Sequence, residues 1–244
     1  MGLGDQFSEY GKSRDYWTPE AITQRRNQKR IANMLKRRSL GKDYGEQNLY
    51  DLREAGKRFT PPLKQVFRAF EECPVDKLRV IIIGQDPYPQ LGVADGLAFS
   101  CGSTEKPQPS LRNMFEAIEQ TVYQEFPTYQ DPNLTRWANQ GVLLINKALT
   151  CEVDKVGSHY DVWNEFLMYV LDILNFTDSG LIFVLLGKPA QELESLIGPN
   201  HYIIKASHPA SAAYTKTVWD CKDLFNQVNE IITKCNGPQF TINW

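Results

Sequence analysis

Residues 80–89 read Val80-Ile81-Ile82-Ile83-Gly84-Gln85-Asp86-Pro87-Tyr88-Pro89, and the change of character inside that decamer decides the fold. Val80–Ile83 is short, apolar and β-branched, which suits a strand buried on both faces better than a helix. Gly84 and two prolines then break the regularity and leave Gln85, Asp86 and Tyr88 at the strand's carboxyl end. Ligands of open α/β sheets bind there, at the mouths of parallel strands. A strand tip carrying a carboxylate, an amide and a phenol reads as a site. An ordinary strand-to-loop turn would use the same glycine and prolines.

Outward from the decamer, three more segments look like short buried strands: Gly141–Asn146, Gly180–Leu186 and His201–Ala206, with the first strand extending back to Leu78. Helical periodicity occupies Ser110–Phe126, Trp163–Leu174, Pro189–Ile197 and Trp219–Cys235. Strands alternating with helices predict a single α/β domain with a central, mostly parallel four-stranded sheet and helices on both faces. Each strand ends in a polar or glycine-containing turn, at Gln85-Asp86, Asn146-Lys147, Gly187-Lys188 and Ser207-His208-Pro209. Topology therefore gathers four loops at one sheet edge.

The chain has 244 residues, enough for one full core, and its composition is that of an ordinary globular protein. No apolar stretch approaches twenty residues, and residues 1–10 lack the basic and apolar regions of a signal peptide, so an intracellular protein without membrane contact is expected. The five cysteines are odd in number and form no Cys-x-x-Cys pair, which argues for reduced thiols and against zinc or an iron–sulfur cluster. The net charge of −2 hides an asymmetry: residues 1–60 carry 13 Lys/Arg against 8 Asp/Glu, and residues 61–244 carry 14 against 21. A helix opening at Thr18-Pro19-Glu20 would display Arg25-Arg26, Lys29-Arg30 and Lys36-Arg37-Arg38. Such a run is usually a solvated face; contact with a nucleic-acid backbone is the sharper alternative.

Six blocks make the reading specific. Gly84-Gln85-Asp86-Pro87-Tyr88 followed by Gly96-Leu97-Ala98-Phe99-Ser100 resembles the water-activating region of the uracil-specific uracil-DNA glycosylases. In order and at similar spacing come Pro107–Asn113, similar to the family's proline-rich loop, and Trp137–Asn146, similar to its uracil-reading strand and running on to Leu149-Thr150 and Ser158-His159. Leu186–Ala190 resembles the glycine-serine loop, Ser207–Ser211 the leucine-loop block, and Ile242-Asn243-Trp244 the family's ending. The resemblance divides the chain into a basic, partly helical segment, residues 1–57, and a catalytic domain, residues 58–244.

What the resemblance implies is hydrolysis of the N-glycosidic bond of deoxyuridine in single- or double-stranded DNA, by base flipping and without a cofactor or metal. Phe99 would stack on the flipped base, and Asn146 would read its N3–H and O4 edge, although core packing and a buried, backbone-satisfied amide are the plainer roles for those residue types. Tyr88 would exclude thymine by collision with its methyl group. His208 would donate to uracil O2 as charge develops there, Asp86 would orient the attacking water, and Gln85 would add backbone amide contacts. Ser110, Gly187, Lys188 and Ser211 would hold phosphates. His201 is expected to be structural and His159 to order the loop after Asn146. A monomer is expected, with uracil-containing DNA as its partner and an inhibitor protein or replication factor as a further possibility. The compartment follows the host: cytoplasmic if bacterial or phage, nuclear if eukaryotic or a nuclear virus.

Several positions depart from the family pattern. Pro89 and Asp95 stand where histidines are usual, and Lys188 where a serine is commoner. Ala212 occupies the place of the leucine wedge that fills the gap behind a flipped base, with Tyr214 as the alternative wedge. A methyl group makes a poor wedge, so a preference for single strands and a gain on duplex from Ala212→Leu are expected. Two other readings stand beside the enzyme: a DNA-binding scaffold or replication accessory that has kept the fold but lost most catalysis, and a broader glycosylase acting on thymine or other bases in mismatches.

Overall fold

The computed structural model describes residues 54, 56–124, 130–176, 180–212 and 218–244. The expected helix at Thr18 and the basic run that follows it lie outside these residues, as does Tyr214. Six strands are formed among them: β1 (Phe59–Thr60), β2 (Val80–Gly84), β3 (Val142–Asn146), β4 (Cys151–Glu152), β5 (Ile182–Leu186) and β6 (Tyr202–Ala206). The four longer strands make one parallel sheet in the order β3-β2-β5-β6, and β1 pairs with β4 in a small antiparallel ribbon. Helices α1 (Arg68–Glu72), α2 (Pro109–Thr121), α3 (Thr135–Ala138), α4 (Tyr160–Asn175), α5 (Lys188–Gln191) and α6 (Leu224–Cys235) surround it.

Strand β2 explains the layering. All five of its residues are buried, and their side chains alternate between two cores. Val80 and Ile82 face a layer with Met114 and Phe115 of α2, Trp137 of α3 and Phe225 of α6; Ile81 and Ile83 face one with Phe70 of α1 and Trp163, Phe166 and Leu167 of α4. Trp244 closes the first layer, its ring edge-on to Trp137 at 5.3 Å.

The expected elements are present with altered ends. The stretch Pro189–Ile197 is broken into α5 and a 3₁₀ turn, Glu194–Leu196. The last helix starts at Leu224 rather than Trp219, because Lys222 and Asp223 take left-handed backbone angles that no helix accommodates. The ribbon of β1 and β4 was not expected, being too short to carry a periodic signal. No helix among the described residues is long and apolar enough to cross a membrane.

Candidate active site at the strand mouths

Gly84 faces Asn146 and Leu186 faces Ala206 across the sheet register, so the loops after all four strands open on one edge, as expected. Gly84 must be a glycine for reasons of space. A Cβ there would lie 2.4 Å from Asn146 Oδ1 and 3.0 Å from the Phe99 ring. Its absence lets the amide and the ring close together over the strand end. Asn146 is 7% exposed and Phe99 likewise, and both line a pocket with Pro87, Tyr88, Ala98, Ile145 and Leu149.

Phe99 has φ +67°, a left-handed backbone that bulky residues rarely adopt. Several contacts enforce it. The Tyr88 phenol donates to the Phe99 carbonyl at 3.0 Å, and the amide of Ala98 donates to Leu144 on β3 at 3.0 Å. Beneath the loop sits Asp95, 2% exposed, which accepts from the Leu97 amide (3.3 Å), the Ser100 hydroxyl (2.7 Å) and the Gly102 amide (2.9 Å). Arg68 of α1 pairs with Asp95 at 2.9 Å and also donates to the Asp95 carbonyl, Asn133 and Thr135. Asp95, noted in the sequence only as a departure, is the hub that shapes the aromatic loop.

The Asp86 carboxylate is shielded. It accepts from the Gly157 amide at 3.2 Å and from the Tyr160 hydroxyl at 2.8 Å. Burial is the largest influence on it and raises its pKa above the ordinary carboxylate range, opposed by those donors, by Gln85 and by the charge of Lys147. Tyr88 is partly buried, and burial raises its phenol too, so it remains a proton donor.

His208 lies in the loop after β6, its ring centroid 5.6 Å from that of Phe99. The Ala210 amide donates to its Nδ1 at 3.2 Å. A backbone N–H can only donate, so Nδ1 is the unprotonated nitrogen and Nε2 carries the hydrogen. Burial lowers the pKa to about 4, so the ring is a neutral donor at physiological pH. Asn113 of α2 donates to the Pro209 carbonyl at 2.8 Å, and the Trp219 indole donates to Ser207, which together fix the loop. Gly187, at φ +89°, runs so close that a Cβ would meet His208 Cβ at 3.0 Å.

The expected backbone-contacting residues differ in access. Lys188 is exposed at the start of α5, Ser211 is half-buried with its hydroxyl donating to Ser207, and Ser110 is only 6% exposed in the first turn of α2. The other histidines behave as expected. His159 Nδ1 meets the Thr150 hydroxyl at 2.9 Å in the loop after Asn146, and His201 Nδ1 accepts from the Leu181 amide at 3.2 Å. The Ala212 methyl group is buried in the core layer that also holds residues of α2 and α6. Tyr160 and Arg68 had no sequence signal, because their partners lie 74 and 27 residues away.

The mouths of the parallel sheet thus bring together the shielded Asp86 carboxylate, a pocket lined by Phe99 and Asn146, and the neutral His208 imidazole, the arrangement of an α/β enzyme site. A model of the uracil DNA glycosylase superfamily matches residues 70–232. A protein of Amoebophilus asiaticus (strain 5a2) named uracil-DNA glycosylase is 43% identical over 186 residues, covering 75% of this chain and 82% of its own length. A Yersinia pestis (strain Pestoides F) protein of the same name is 38% identical over 197 residues, covering 79% and 83%. A variant of mimivirus UNG solved in complex with UGI superposes with a TM-score of 0.71 at 27% identity over 78% of each chain. The mimivirus uracil-DNA glycosylase structure superposes with a TM-score of 0.74 over 93% of this chain and 90% of its own, at 24% identity. The chain belongs to the uracil-DNA glycosylase superfamily.

Proposed function

We propose that this chain excises uracil from DNA as a monofunctional glycosylase, and that the loops at the four strand mouths divide the chemistry. A flipped base enters beside Phe99, which offers a face for stacking, with Asn146 placed to read its hydrogen-bonding edge and Tyr88 closing the wall against larger bases. Water held by Asp86 attacks C1′ of the sugar, and the water's proton passes to the carboxylate. The C1′–N1 bond breaks and its electron pair leaves with uracil, whose O2 accepts from His208 Nε2–H. The observation that carries this reading is His208 itself: a neutral imidazole with Nδ1 occupied by Ala210 and Nε2–H left to donate, its ring 5.6 Å from that of Phe99 and tilted against it.

Phosphate contacts fall to Lys188, the Gly187 turn and Ser211, with Ser110 acting from a more shielded position. Residues 58–244 carry the catalysis, and the basic segment 1–57 adds charge attraction to DNA in single- or double-stranded form. The mimivirus relative solved in complex with UGI supports an inhibitor protein as a second partner class for this chain.

The experiment is release of uracil from single-stranded and duplex oligonucleotides, without added metal, by the wild type, His208→Ala and Asp86→Asn. Release by the wild type and a fall of about 10²–10³ in His208→Ala are expected. DNA binding without release by the wild type would favour the scaffold.

A further inference from the structure

Besides a contact from the adjacent Gln85, Asp86 takes its side-chain hydrogen bonds from one distant segment. Gly157 reaches Oδ1 through its amide, and the Tyr160 hydroxyl reaches Oδ2 at 2.8 Å. The neighbouring Pro89 side chain has no donor to offer. Tyr160 is the first residue of α4, a 16-residue helix anchored under the sheet by Trp163, Phe166 and Leu167. The Lys147 ammonium lies 5.0 Å above its ring and is paired with Glu192, so the phenol is held from two directions. We propose that Tyr160 is a positioning residue for the reaction, fixing Asp86 by occupying one carboxylate oxygen so that the remaining lone pairs point to the attacking water. This rests on the assignment of Asp86 made above.

Two physical consequences follow from the hydrogen bond. Donation from a neutral O–H to a shielded carboxylate favours its charged form, which is the form that can hold and deprotonate water. The phenol stays protonated, since its own pKa is raised by burial and by Asp86. The other titratable groups around the carboxylate are Lys147, which favours its charge, Glu192 behind that lysine, and Cys151, whose thiol is pushed up to about 12 by burial and stays neutral.

The test is single-turnover uracil release across about pH 5–9 by the wild type, Tyr160→Phe, protein carrying 3-fluorotyrosine at position 160, and Asp86→Asn. In Tyr160→Phe the chemical step should slow about tenfold, the half-saturating DNA concentration should stay within about twofold, and the acid limb should move to higher pH. Fluorotyrosine keeps the shape and is a stronger donor, so it should move the acid limb the opposite way even if Tyr160→Phe folds poorly. An acid limb unmoved by fluorotyrosine, or a defect in Tyr160→Phe confined to half-saturation, would overturn the proposal for Tyr160 alone. Wild-type rates in Asp86→Asn would overturn the assignment of Asp86, and with it the proposal.

Discussion

Phe99 occupies a backbone conformation that costs about 1–3 kcal/mol for such a residue, and the hydrogen bond from Tyr88 to its carbonyl is part of what holds it there. Tyr88 therefore sets the position of the Phe99 ring besides lining the pocket, a role invisible in the sequence because it acts through a main-chain oxygen. Ala212 stands at the wedge position in the sequence, and its methyl group lies in the core of the structure. Enlarging it should overpack that layer at a cost of about 1–3 kcal/mol. Ala212→Leu is thus expected to lower the melting temperature without raising the ratio of duplex to single-strand activity. Paired thermal and activity measurements check this, and a selective gain on duplex would refute it.

The elements that were legible are those with a strong local signal. Val80–Ile83 could hardly be anything but a buried strand, and Asn146 at the end of an apolar run could hardly avoid a strand tip. Helix ends and small ribbons were less legible because left-handed residues such as Asp223 and long-range pairs such as Thr60 with Cys151 decide them. Legibility failed most clearly for the support of the Phe99 loop. Arg68 on α1, Asp95 in the loop and Thr135 on α3 are scattered over 68 positions, and only folding brings them together. That cluster should be costly to break: Asp95→Ala removes the closer of the two carboxylates paired with Arg68, the other being Glu72 at 3.4 Å, and strips the Leu97, Ser100 and Gly102 donors of their acceptor, a loss of about 3 kcal/mol. At this chain length a melting temperature lower by about 10 °C is expected, with slower uracil release as the Phe99 loop loosens. A variant melting within about a degree of the wild type would show that the pair contributes nothing.

Across the whole molecule the three histidines share one arrangement, with Nδ1 engaged at His159 by Thr150, at His201 by Leu181 and at His208 by Ala210. Burial lowers all three pKa values. Below the ordinary imidazole value near 6.5 the unfolded chain takes up protons that the folded chain refuses, so stability must fall as pH drops from about 6.5 toward 4. Asp86 acts with the opposite sign, since its raised pKa makes the folded form the better proton acceptor just above the ordinary carboxylate range. Melting temperatures at pH 7 and pH 5 should therefore differ, and the difference should shrink in His208→Ala. Equal differences in the two proteins would exclude His208 as a source of acid sensitivity.

The strand order β3-β2-β5-β6 also carries a consequence for biosynthesis. The two adjacent strands that bear Asp86 and Asn146 belong to the first half of the sheet in chain order, and the two that bear Gly187 and His208 to the second. As the polypeptide leaves the ribosome, the proposed cradle for the base is therefore translated well before the group proposed to help uracil depart. A nascent chain stalled between Asn146 and His208 holds Tyr88, Phe99 and Asn146 but lacks the imidazole proposed to receive the charge, so on the proposed mechanism excision begins only once the last strand of the sheet and the loop after it have been delivered.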